Sequence, residues 1–143
     1  MTPDQALAAL PHGPEFCFID SLDQLEPGQK ATASYTLKGD EAFLAGHFPG
    51  QPILPGVLMI EAIAQLGGII AQSDGSQSPL SDVRLTAVRG AKILGTISPG
   101  ETLTLDASLE ARMGTLLQIK GQARSGDTLI ASATVTLSGS VSV

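Results

Sequence analysis

Between Val57 and Gln72 the sequence VLMIEAIAQLGGIIAQ carries only three polar side chains, Glu61, Gln65 and Gln72. At about 100° per residue, their i, i+4 and i+11 spacing puts them within roughly 40° of one another on a helix. Gly68 falls on the same line. A surface helix would show a broad charged face. This one shows a narrow polar seam on an otherwise apolar cylinder, so it must be covered nearly all round. It is the one long helix candidate, running from about Gly56 to Gln72 behind Pro55. Strands must do the covering.

The strands are legible as period-2 segments between turn residues. Phe16–Leu25 and Lys30–Leu37 predict a hairpin around Pro27-Gly28. After the helix and a Ser73–Pro79 loop, four more strands are expected at Val83–Ile93, Glu101–Glu110, Leu116–Arg124 and Thr128–Leu137. The last three, joined by short turns, predict an antiparallel meander. Thr2, Pro3 and Gln5 predict a capped short helix before PHG. The tail SGSVSV is expected to fray. The fold class is α+β: one major helix wrapped by an antiparallel sheet, in a single domain over residues 1–143. With four Phe, one Tyr and no Trp, its core must be aliphatic.

Charge removes several functions. A net charge of −6 with eight Lys and Arg gives no basic footprint for nucleic acid. The lone Cys17 allows no intrachain disulfide. The N-terminus lacks the basic and apolar blocks of a secretory signal. The longest apolar run, interrupted by Glu61 and Gln65, is too short and polar to span a membrane. A soluble cytoplasmic domain is expected.

Two residues point to chemistry. Glu61 is either an acid reaching solvent from the helix's first turn, where the dipole favours it, or a carboxyl in a low-dielectric seam. The absence of Lys and Arg from the seam argues for the second. His47 sits in GHFPGQPILPG, where Pro49, Pro52 and Pro55 stiffen the approach to the helix. Such a histidine is either a surface residue or a held imidazole beside a buried acid, the makings of an acid/base pair. Gly56, at the helix start, offers a free backbone N–H that could bind a carbonyl oxygen.

The run GHFPGQPILPGVLMIEAIAQ, from Gly46 to Gln65, resembles the signature of the β-hydroxyacyl-acyl-carrier-protein dehydratases. LPHGPEFCFID and AVRGAKILGTISPGETL resemble further segments of that family. The resemblance implies the hot-dog fold and a homodimer with its active site at the subunit interface, in many members assembled as a trimer of dimers. It implies that His47 removes the C2 proton of a 3-hydroxyacyl thioester and that Glu61 protonates the leaving 3-hydroxyl. Gly56 N–H would hold the thioester carbonyl, and Gln65 would orient Glu61. It implies a trans-2-enoyl product, no cofactor and no metal. Glu at 61 looks like the elongation dehydratases rather than the isomerising branch, which carries Asp there.

Some positions depart from the family. Gly13, Pro14 and Glu15 stand where Arg and aromatics are usual, and Leu94 and Gly95 where a basic pair is usual. Docking of an acidic acyl-carrier protein would then fall to Arg84, Arg89 and Lys92, which could equally be solvated strand charges. A specialised polyketide or aryl-polyene dehydratase, a hot-dog thioesterase acting through Glu61, and a non-catalytic acyl-binding subunit remain as alternatives.

Overall fold

The computed structural model describes residues 2–8, 10–46 and 48–141. Helix α1 (Pro3–Ala8) opens with the expected reciprocal cap. Thr2 N–H donates to Gln5 Oε1 at 2.9 Å, and Gln5 N–H donates back to Thr2 Oγ1 at 3.2 Å. Strands β1 (Ser21–Glu26) and β2 (Lys30–Thr36) form the first hairpin. Its turn needs a left-handed residue, supplied by Gly28 at φ 72°. A 3-10 turn at Ala42–Gly46 precedes the long helix α2 (Gly56–Gln72). Strands β3 (Leu80–Ile93), β4 (Thr102–Met113), β5 (Leu116–Ser125) and β6 (Thr128–Val141) follow.

All six strands join one antiparallel sheet in the order β1-β2-β4-β5-β6-β3. The meander is there as expected, and the first hairpin adds to its β4 side. Burial alternates along β2, β4 and β5, as a sheet covered on one face requires. The covered face receives α2, whose Met59, Ile63, Leu66 and Ile70 are fully buried against aliphatic partners such as Leu105, Leu117 and Ile119. Each such side chain contributes about 1.5–3 kcal/mol relative to exposure. Gly121 on β5 lies directly against Ile63, leaving no room for a side chain. This is the hot-dog arrangement, a long helix wrapped by an antiparallel sheet.

Three expectations are corrected. The strand expected from Phe16 begins only at Ser21; Pro14–Phe16 is a 3-10 turn, and Phe18 and Ile19 are buried beyond it. The tail does not fray through Val141, because β6 continues and pairs Val141 with Leu80 of β3. Glu61 is not in the first turn of α2, which holds no acid, so the helix dipole does not account for it.

Strand β3 differs from the others. It is a sheet edge, and only Leu80 and Val83 among its fourteen residues are not exposed. Register shifts fall between Ser81 and Arg84, Leu85 and Ala87, and Arg89 and Lys92. They explain the imperfect alternation of its three cations.

Candidate active site

The polar seam of α2 is a line of attachment. Gln65 is buried at 2% exposure, and an unmatched amide there would cost about 1–3 kcal/mol. It meets the chain as another strand would. Its Oε1 accepts from Phe18 N–H at 2.9 Å, and its Nε2 donates to Phe16 O at 2.9 Å. The segment after α1 is thereby fixed onto the helix. Gln72 repeats the device at the far end: its Nε2 donates to Leu80 O at 2.6 Å and its Oε1 accepts from Leu80 N–H at 3.1 Å. That pair turns the chain into β3.

Between these stitches a cavity of about 570 Å³ opens among α1, α2 and the start of β3. Glu61, Gln65, Gly68 and Gln72 all line it, so the whole seam faces one space. Leu10, Ile69 and Leu137 contribute apolar wall. The Glu61 side chain is 21% exposed. Its Oε1 stands 3.3 Å from Gln65 Nε2, which donates to it, and 3.4 Å from His12 Nε2. Gln65 therefore does reach Glu61, and it also anchors the N-terminal segment, a second task that the sequence reading did not assign.

His12 is the site residue that sequence reasoning passed over. PHG reads locally as a helix stop, and nothing local reveals that its histidine lands on Glu61. The available signal was its place inside LPHGPEFCFID, beside the segment that Gln65 holds.

The other candidates distribute unevenly. Arg84 lines the cavity with Glu61, next to Asp82, whose φ of 53° marks the bulged backbone there. Arg89 and Lys92 are exposed farther along β3 and do not line it. Gly56 begins α2 five residues before Glu61, about 7.5 Å along the axis. A Cβ on Gly56 would meet Ile93 Cγ2 at 2.7 Å, so glycine is needed for this close approach. Its N–H has no backbone acceptor among the described residues. His47 lies outside the described residues.

The chain on either side of His47 is firmly tied. After it, Leu54 N–H donates to Ile97 O at 3.0 Å, and Thr96 Oγ1 donates to Leu54 O at 2.7 Å. Before it, Glu41 gathers donors from Tyr35 Oη at 2.6 Å, Lys38 N at 3.0 Å and Gly39 N at 2.7 Å. Burial works to raise the Glu41 carboxyl, but these donors outweigh it and hold the group down at about 2. Burial and the facing Glu41 carboxylate push the Tyr35 hydroxyl up. Among the described residues no group of three or more His, Cys, Asp and Glu is placed to hold a metal ion. No helix there is long and apolar enough to cross a membrane.

The FabA-like domain family matches residues 10–134. The chain belongs to the FabA-like family. The 3-hydroxyacyl-[acyl-carrier-protein] dehydratase FabZ of Acidovorax sp. (strain JS42) is 34% identical over 133 residues, covering 92% of each chain. The dehydratase heterocomplex ApeI:P from Xenorhabdus doucetiae matches with a TM-score of 0.78 at 15% identity, over 97% of this chain and 91% of that one. Zebra fish thioesterase superfamily member 2 matches with 0.71 at 13% identity, over 95% and 96%. A dehydratase and a thioesterase thus share this fold, and the fold alone does not choose between their reactions.

Proposed function

We propose that this FabA-like chain dehydrates a 3-hydroxyacyl thioester with Glu61 as general acid and His47 as general base. The chain is a hydro-lyase of fatty-acid biosynthesis. The acyl-carrier protein as bearer of the thioester comes from the names of its relatives and suits the cations of β3. The observation that carries the assignment of Glu61 is its setting: one carboxyl on the seam of a buried helix, facing a cavity with apolar walls.

The reaction balances on these two residues. The His47 imidazole takes the C2 proton, and the C2–H electron pair forms the C2=C3 double bond. The C3–O bond breaks, and its oxygen leaves as water with the proton of Glu61. Gly56 N–H, free at the helix start, supports the thioester carbonyl as negative charge gathers on it. The products are the trans-2-enoyl thioester and water. Return of the proton from His47 to Glu61 resets the pair.

A second copy of the chain completes the site in this reading. An exposed fourteen-residue edge strand that displays Leu85, Val88 and Ile93 supports a dimer through β3. The working unit is then a homodimer or a trimer of dimers, each chain a single domain, in the cytoplasm. The test supplies a 3-hydroxyacyl thioester on carrier protein and on coenzyme A, over several chain lengths. The expected result is the ultraviolet absorbance of a conjugated enoyl thioester without release of free thiol. Thiol release without enoyl product would instead make the chain a thioesterase.

A further inference from the structure

The cavity wall holds a titratable side chain that the two-residue mechanism does not use. His12 Nε2 stands 3.4 Å from Glu61 Oε1. Gln65 Nε2 donates to the same oxygen at 3.3 Å. No described residue gives Glu61 Oε2 a hydrogen-bond partner or an ion pair. Both nitrogens therefore converge on one oxygen of the carboxyl, and the other has no partner among the described residues.

We infer that His12 is a positioning residue for Glu61: with Gln65 it grips Oε1 and leaves Oε2 as the oxygen that gives its proton to the substrate. The inference rests on Glu61 being the acid. It adds which oxygen acts and what holds it there.

The imidazole is suited to this task. Its ring stacks on Phe16 with centroids 6.2 Å apart and planes 24° apart. The Phe16 carbonyl is in turn held by Gln65. His12 Nδ1 is buried and has no hydrogen-bond partner among the described residues. The tautomer that fits carries its hydrogen on Nε2, the nitrogen nearest Glu61, and leaves Nδ1 a bare acceptor.

The chemistry of a carboxylic acid supplies the rest. It has one carbonyl oxygen, which accepts, and one hydroxyl oxygen, which donates. Gln65 donates to Oε1 and the His12 nitrogen stands beside it, which makes that oxygen the carbonyl, so the acidic hydrogen sits on Oε2. When Oε2 gives up its proton, the carboxylate keeps both nitrogens beside it, and hydrogen bonds to an ionised oxygen are shorter and about twice as strong. The contacts at 3.3 and 3.4 Å leave room to tighten at that moment. The clamp thus stabilises the state after proton transfer more than the state before it, which is what accelerates a step.

A double-mutant cycle tests this. His12→Phe keeps a ring on Phe16 and removes the N–H. It is expected to lower kcat about 10- to 100-fold, since a misplacement of about 1 Å in the reacting geometry costs up to about 10²-fold, with KM and thermal midpoint unchanged. His12→Gln, which restores an N–H donor, is expected to recover part of that loss. In a Glu61→Gln background, His12→Phe is expected to add nothing, because the group it positions is gone. Full kcat in His12→Phe would overturn the inference, as would losses that multiply in the double variant. So would equal kcat losses and lowered thermal midpoints in the Phe and Gln variants, which mark a packing role. Normal turnover in Glu61→Gln itself is a different failure: it removes Glu61 as the acid.

Discussion

Gly67 and Gly68 are consecutive residues of α2 and point about 100° apart around it. A Cβ on Gly67 would lie 2.7 Å from Ile119 Cγ1 and 3.0 Å from its Cγ2, whereas one on Gly68 would meet nothing within 4 Å. The sheet side of the helix is packed to contact and the seam side is open. The difference separates two tasks that one helix performs at once. Residues such as Ile63 and Leu66 hold the sheet, and Glu61 faces the cavity instead. A polar side chain on the packed side would be a defect; on the seam it has a cavity in front of it and partners beside it.

The largest expected effect comes from the seam side. Glu61→Gln keeps the shape of the side chain and removes the acid. It is expected to lower kcat by about 10²–10⁴ while the thermal midpoint stays put. His47→Ala should cost the rate a similar amount. Turnover and thermal unfolding measured on the same samples check this. A variant that loses its fold along with its rate would break the division between the two sides.

Gly67→Ala is the matching change on the sheet side. The new methyl would press on Ile119, which is fully buried and β-branched and has little room to turn. Overpacking of this kind costs about 1–3 kcal/mol, and the better helix propensity of alanine returns up to about 1 kcal/mol of it. Urea unfolding is expected to show the net loss, with kcat of the folded enzyme near that of the parent. A large fall in kcat at full stability would mean that the packed side also shapes the site.

Glu41 asks whether the approach to His47 is braced separately from the helix. Its carboxyl is held at about 2 in the folded chain, against an ordinary 4.5. A lowered folded value means that the stabilisation is whole above about 4.5 and is lost as the pH falls toward about 2. Tyr35 is the one tyrosine of the chain and donates to this carboxylate. Its near-ultraviolet spectrum therefore reports the clasp directly. The expected result is a spectral change in that acid range that Glu41→Gln abolishes. A spectrum flat down to global unfolding would show that the clasp opens only with the core.

The helix, the meander and the seam were legible because each is a local pattern: a 3.6-residue period, alternation between turns, and three polar residues on one line. The same seam put Glu61 and Gln65 on one line, and both line the cavity. What was not legible depends on partners far along the chain. Phe16–Ile19 is an apolar run that reads as the start of a strand, but Phe16 O and Phe18 N–H go to Gln65, 47 residues from Phe18, so the segment lies on the helix instead of in the sheet. The tail extends β6 because the start of β3 comes to meet it at Leu80. His12 was missed for the same reason. Pro-His-Gly stops a helix by its own chemistry, and only the docking of that segment by Gln65 brings the imidazole to the carboxylate.

Gly68→Ala is the smallest effect and the most discriminating about the open side. Glycine inside a helix costs about 0.5–1 kcal/mol relative to alanine, and here a methyl has space to enter. The variant is therefore expected to be slightly more stable in urea unfolding, with dehydration of short acyl thioesters unchanged. Larger residues at 68 extend the test, since they would enter the cavity that Glu61 lines. Gly68→Leu should keep the fold and weaken turnover of long acyl chains before short ones. If Gly68→Ala instead destabilised the protein, the space beside the seam would be filled in solution, and a second copy covering it would be the first occupant to test, by the concentration dependence of that loss.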